Sequence, residues 1–180
     1  MFSVNAERYY AAYDFAGYVG TAHKNVDLWH GLYRLLQVDD DLVARAAAIP
    51  GEWHLLALSE DWCGDAVNVL PLVARLAERV PNFDLRILAR DRNPDLMDAH
   101  LTKGSRSIPV VMLLDERFVE HAWWGPRPAP LQAWRFSEGR SMPGPERTKW
   151  MRQWYARDRG RTTLEEIVAM LERGASQLAT

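Results

Sequence analysis

Cys63 is the only cysteine of the chain and stands in the run Ser59-Glu-Asp-Trp-Cys-Gly-Asp-Ala66. A thiol acts as a nucleophile only as its thiolate, which forms where unpaired backbone N–H groups and a helix dipole favour negative charge. The residues before it, Trp53–Ser59, are a short apolar run, and those after it, Ala66–Val80, carry apolar side chains at helical spacing. Cys63 is therefore expected between the carboxyl end of a buried strand and the start of a helix, where open α/β sheets place their ligands. The chemistry on offer is attack on a disulfide or an oxidised thiol. The bland alternative is a small buried hydrophobe, which most lone cysteines are.

Other chemistries are poorly served. A single cysteine excludes an intramolecular disulfide and a cysteine-rich zinc site. His23, His30, His54, His100 and His121 lack the spacing that puts two ligands on one helix face, so neither a metal nor any other cofactor is expected. The formal net charge is −2, far from the basic balance of nucleic-acid binders. That charge is uneven: residues 1–62 carry 4 basic and 9 acidic side chains, residues 121–180 carry 10 and 6. Trp134, Trp150 and Trp154 alternate with Arg135, Arg140, Arg147, Lys149, Arg152 and Arg157, a pattern that can stack on single strands. The preferred reading is that these tryptophans cover the sheet while the arginines face water or pair with the acidic N-terminal helices. No nucleic-acid partner is expected.

No apolar run approaches the roughly 18 residues that cross a bilayer. The opening Met1-Phe-Ser-Val-Asn-Ala-Glu-Arg8 lacks the features of a signal peptide. The expectation is a cytoplasmic protein without a membrane partner.

The elements that must position Cys63 are legible in outline. With 180 residues, 48% hydrophobic and 26% charged, one domain over residues 1–180 is expected. Residues 1–50 read as a helical extension: Tyr9–Tyr18 crowd one segment, Val26–Leu36 another, and Asp39–Asp41 cap a helix over Leu42–Ile49. Residues 51–125 read as strand Trp53–Ser59, helix Ala66–Val80, strand Phe83–Ala89, a helix from Asn93 to about Leu101, strand Ile108–Asp115, and an antiparallel strand Phe118–Trp124. Trp123 and Trp124 must then point to opposite faces, one into the core and one under an added helix. Residues 126–180 read as a brief helix Ala129–Phe136, a loop Phe136–Pro145, a helix Pro145–Arg157, and a last helix running to Leu178. That helix opens with a Thr163-x-x-Glu166 capping box. The fold class is α/β, with a central mixed sheet flanked by helices and extra helices at both ends.

Trp62-Cys63-Gly64-Asp65-Ala66 resembles the Trp-Cys-Gly-x-Cys motif of the thioredoxin superfamily, with alanine at the second cysteine. Pro71 stands where that family has a proline in the helix. Ile108-Pro109 resembles the cis-proline that faces the active cysteine. A narrower resemblance, to bacterial thioredoxin family proteins, runs through Asn93–Met97, Gly104–Pro109 and Trp124–Pro128.

The resemblance implies Cys63 as the catalytic thiol, and Trp62, Gly64, Asp65, Ala66, Ile108 and Pro109 as residues that hold a substrate. It also exposes two departures. Ala66 cannot resolve a mixed disulfide, and Ala57 stands where thioredoxins bury an acid that serves the second thiol. The implied activity is therefore monothiol, with protein disulfides as substrates and a low-molecular-weight thiol or partner protein as resolver. A non-catalytic binding module is the alternative, and an intermolecular disulfide through Cys63 the third reading. Glu60, Asp61 and Asp65 read as helix-start acids facing solvent. Arg106 reads either as a charge that offsets their repulsion of a thiolate, if the loop before Pro109 folds as in thioredoxins, or as an ordinary solvated arginine.

Overall fold

Strands that are apolar throughout occupy the middle of the sheet. In the computed structural model, which describes residues 4–177, β1 (Trp53–Ser59) and β3 (Val110–Leu114) are buried along almost their whole length. Near-continuous burial requires cover on both faces and neighbours on both edges. β2 (Phe83–Ala89) alternates buried and half-buried residues, as an outer strand does, and β4 (Glu120–Trp124) is exposed or half-buried up to the buried Trp124. The sheet order is β2-β1-β3-β4. β1 and β2 are parallel, with Trp53 opposite Phe83 and Ser59 opposite Ala89. β3 runs antiparallel to β1 and β4 antiparallel to β3. Residues Met1 to Ser3 and Leu178, used in the sequence reading, lie outside the described residues.

The crossover between β1 and β2 is α5 (Gly64–Arg79), whose first residue follows the cysteine directly. Before the sheet come α1 (Ala6–Ala11), α2 (Phe15–Gly20), α3 (Val26–Leu35) and α4 (Asp40–Ala47). They clasp the sheet and the site loop by specific bonds. Tyr13 and Ile87 exchange backbone hydrogen bonds of 3.2 and 2.8 Å, which covers part of the exposed edge of β2. Trp29 of α3 is fully buried, and its indole N–H reaches the Asp61 carbonyl at 3.3 Å. After β2, a 3-10 turn at Arg90–Arg92 leads into α6 (Pro94–Ala99), which is tied to α1 by the Arg8–Asp95 ion pair at 2.6 Å.

Beyond β4 lie α7 (Ala129–Phe136), α8 (Glu138–Ser141), α9 (Gly144–Asp158) and α10 (Arg161–Ser176). Three sequence expectations are corrected here. The loop assigned to 136–145 contains α8: Gly139 sits where a Cβ would come within 2.7 Å of the Trp134 ring, so the turn tightens under that indole. Trp134 in turn stacks on Trp150 with ring centroids 3.6 Å apart.

The capping box at Thr163 and Glu166 is not formed. α10 begins at Arg161, after Gly160 in the left-handed region (φ +80°), and a Cβ at Gly160 would meet Leu72 at 2.3 Å. Glu166 instead accepts from the Trp124 indole at 2.9 Å and the Ala129 amide at 2.7 Å, while the buried Thr163 hydroxyl has no partner. Trp124 thus lies against α10, but Trp123 is not core: it is 37% exposed, with its ring set edge-on to His100. Among the described residues none of Arg135, Arg140, Arg147, Lys149, Arg152 and Arg157 pairs with an N-terminal acid; Arg161, outside that set, binds Asp39 and Asp41.

Candidate functional site

Cys63 is the N-cap of α5, in extended conformation with φ −79° and ψ 115°. Its Sγ accepts the Ala66 N–H at 3.5 Å and donates to the Ile108 carbonyl at 3.4 Å. The Ile108–Pro109 peptide is cis. A strand end, a helix start and the loop before β3 therefore converge on one sulfur. Helix geometry aims free N–H groups at it, which favours the thiolate. Burial opposes them and prevails: Cys63 is only 7% exposed, and desolvation, reinforced by the nearby Asp65 carboxylate, pushes its pKa up to about 11. The Ala66 and Asp65 amides and Arg127 pull it back.

Asp65 and its partners were not legible as a unit. Asp65 is not a solvated helix-start acid: it is buried, bound to Arg127 at 2.6 Å and to the Tyr155 hydroxyl at 2.9 Å. Burial pushes the Asp65 carboxyl up, while Arg127 and Tyr155 favour its charged form. Arg127 and Tyr155 come from the stiff segment after β4 and from α9. In the sequence they are one more arginine among prolines and one more aromatic in a helix. The only available signal was a carboxylate at the first turn of a helix whose opening is otherwise apolar.

The other expected acids also have structural work. Asp61 accepts the His23 and Lys24 amides at 2.7 and 3.0 Å, and Glu60 accepts the Asp91 amide at 2.9 Å. Arg106 is not the counter-charge for Cys63. It is bound to Asp98 at 2.6 Å on the surface, and Arg127 takes its place. Ala57 is completely buried in the central strand, with no charge at that position.

Of the expected site residues, the structure brings Cys63, Ala66, Ile108 and Pro109 together, with Ala66 fully buried and Ile108 4% exposed. Gly64 is exposed, and no atom lies within 4 Å of a Cβ built on it. Trp62 is half exposed and carries the Arg90 guanidinium 5.0 Å from its ring centroid, so it flanks the thiol as a surface platform. Pro71 lies inside α5. Among the described residues no cluster of histidine, cysteine and carboxylate side chains is arranged to hold a metal. No helix there is long and apolar enough to cross a membrane.

The thioredoxin family model matches residues 12–141. The chain belongs to the thioredoxin family. Two solved structures share the thioredoxin-like fold across 94% of this chain and 98% of theirs. One is a Pseudomonas aeruginosa protein of unknown function, 22% identical with a TM-score of 0.74. The other is an HIV epitope-scaffold, 21% identical with a TM-score of 0.70. No curated protein matches. The family match takes in α2 to α4 before β1 and α7 and α8 after β4, while α1, α9 and α10 lie outside it.

Proposed function

We propose that this thioredoxin-family chain is a single-cysteine thiol–disulfide exchange protein. The observation that supports it is the placement of Cys63 Sγ between the Ala66 amide and the Ile108 carbonyl, with Trp62 exposed beside it. In the first step Cys63 loses its proton to solvent and its thiolate attacks one sulfur of a substrate disulfide. A bond forms between the two sulfurs, the substrate S–S bond breaks, and the departing thiolate takes up a proton. Ala66 cannot carry the next step, so an external thiol attacks the substrate's sulfur in the mixed disulfide. That forms a new disulfide and returns Cys63 as thiolate. The external thiol gives its proton to solvent and stays joined to the substrate in the new disulfide, one substrate sulfur leaves as a free thiol, and Cys63 ends as it began.

A second reading, a non-catalytic module that keeps the groove, is favoured by the burial of the thiol. With a pKa of about 11, about one Cys63 in 10⁴ is thiolate at neutral pH. Exchange then depends on a partner that desolvates less than it contributes in charge. One experiment separates the readings. Purified protein is mixed with a disulfide-bonded model protein under non-reducing conditions. Under the exchange reading a mixed disulfide accumulates, is absent in Cys63→Ser, and disappears when a small thiol is added. If no adduct forms at pH 8 while the folded protein still binds reduced and oxidised substrate alike, the binding module is correct.

A further inference from the structure

One large feature of the molecule is used by neither reading. A cleft of about 1300 Å³ opens between α3 and α9, and Trp62 and Gly64 line the end nearest the cysteine. Its two walls differ in kind. On α3, Leu28, Leu32 and Leu35 face it; Leu28 is 43% and Leu35 78% exposed. An isolated exposed leucine is ordinary, but Leu28 and Leu35 leave exposed apolar surface on one face of the helix, with half-buried Leu32 between them packed against the core. On the other side stand Arg135, Arg147 and Arg152.

Half of the protein's other arginines are neutralised by ion pairs. Arg8, Arg45, Arg75, Arg79, Arg90, Arg106, Arg127 and Arg161 each hold a carboxylate. Arg135, Arg147 and Arg152 form no ion pair among the described residues. The carboxylates lining the same cleft are already engaged: Asp65 by Arg127, Asp39 by Arg161, Asp158 by Thr162. Burial first, and then the charges of Arg147 and Arg127, hold the Arg135 guanidinium below its ordinary range against the pull of Asp65. An electropositive wall facing an apolar wall calls for a ligand with both characters.

Size selects among such ligands. The cleft exceeds the roughly 300–1,000 Å³ of small-molecule pockets. Its apolar wall runs along α3, whose ten residues span about 15 Å. The geometry points to docking of an acidic amphipathic helix from a partner protein, its apolar side chains on Leu28, Leu32 and Leu35 and its carboxylates on Arg135, Arg147 and Arg152. This is the helix-in-groove mode of recognition, with charge fixing the direction in which the helix lies. It does not depend on a reactive Cys63.

The test uses the full-length protein and a fluorescein-labelled synthetic helix of about 14 residues, with leucines on one stripe and glutamates on the opposite one. Fluorescence anisotropy should show saturable binding that weakens as salt rises, and Cys63→Ser should bind equally well, so failure of the exchange reading leaves this result standing. Leu35→Asp, at an exposed position, and the double variant Arg147→Glu/Arg152→Glu should each weaken binding by about tenfold or more with unchanged melting temperatures. The double variant should gain affinity for the same helix with lysine in place of glutamate, an outcome no general loss of structure produces. The proposal is overturned if the glutamate and lysine helices bind wild type equally, or if binding is absent. It is also overturned if dodecanoate displaces the helix with equal affinity, which makes the occupant a small amphipathic anion. Light scattering supplies the last check: a dimer lost in Leu35→Asp would make the occupant a second copy of this chain.

Discussion

The Asp65 carboxylate lies 2.6 Å from the Arg127 guanidinium, and the two side chains are 7% and 17% exposed. The pair joins the first turn of α5 to the segment after β4, and it brackets Cys63 with opposite charges. Either partner alone would be an uncompensated buried charge, which costs about 3–5 kcal/mol. Arg127→Met should therefore lower stability by about that amount in urea unfolding, and push the Cys63 pKa further up. Asp65→Asn removes the negative neighbour and leaves Arg127 in place, so the thiol pKa should fall below about 11. The pH dependence of iodoacetamide alkylation measures both. Shifts in the same direction for the two variants would mean that burial alone sets the thiol.

A raised thiol has a linked effect on stability. The ordinary cysteine pKa is 9.0 and the folded value is about 11, so folding favours the protonated form. The resulting stability is complete below pH 9 and is lost as pH rises from 9 to about 11. Tyr9, Tyr18 and Tyr155 are also raised and add their own loss at the upper end. The difference between wild type and Cys63→Ala isolates the thiol. Wild type should lose up to about 3 kcal/mol more than the variant across that window, measured by chemical unfolding at each pH. Parallel pH curves would contradict the raised value.

The strands, the crossover helix and the position of Cys63 were legible because they are written in local patterns. A continuous apolar run such as Trp53–Ser59 has few alternatives to a central strand, and α5 repeats its apolar positions over four turns. Pro109 and Cys63, 46 positions apart, were connected only through resemblance. What stayed hidden depends on distant partners. Thr163 and Glu166 have the spacing of a capping box, yet Glu166 is drawn away by the Trp124 indole and the Ala129 amide. Asp65 reads as a surface acid until Arg127 and Tyr155 arrive from 62 and 90 residues away. Arg106 is the arginine that the sequence offers beside the thiol, but the fold pairs it with Asp98 and brings in Arg127 from the segment after β4.

Ala66→Cys should convert the site to dithiol behaviour. The Ala66 amide is 3.5 Å from Cys63 Sγ, so a second sulfur at that residue lies within reach of the first. A thiol there would attack a mixed disulfide intramolecularly, at high effective concentration. The Ala66 side chain is fully buried, so the added sulfur costs about 1–3 kcal/mol in packing. Reduction of a protein disulfide without an added small thiol should become detectable, and more so with Ala57→Asp as proton acceptor. Thiol titration that still finds two free thiols after oxidation would show the pair too far apart.

His100 supplies a second titration, well away from the thiol. It is 4% exposed, with Nε2 2.9 Å from Glu120 and Nδ1 2.6 Å from the Leu96 carbonyl. Burial works against the imidazolium, but Glu120 and the carbonyl outweigh it and hold the pKa above the ordinary 6.5. A raised folded pKa gives stability that is complete below pH 6.5 and fades as pH rises through the folded value. Glu120→Gln should remove this dependence, lowering the melting temperature at pH 5.5 more than at pH 8.5. A uniform loss at both would assign Glu120 a role in packing alone.

Gly125 ties the end of β4 to the loop that faces the cysteine. Its φ is +141°, a region that L side chains rarely adopt, and an added Cβ would lie 2.1 Å from the Pro109 carbonyl oxygen. That oxygen belongs to backbone and cannot swing aside like the end of a side chain. Gly125→Ala must therefore displace Pro109 or unseat β4, and the combined strain and overlap should cost about 3 kcal/mol or more. Displacing Pro109 also moves the Ile108 carbonyl away from Cys63 Sγ, now 3.4 Å distant, and opens the thiol to water. Alkylation of Cys63 should then be faster than in wild type at the same pH, under conditions where the variant is still folded. Gly64→Ala is the matched control, because a Cβ there meets open space right beside the cysteine. It should leave both stability and alkylation nearly unchanged. If Gly125→Ala lowers stability without exposing the thiol, the structure yields at β4 and the Pro109 loop is held independently of it.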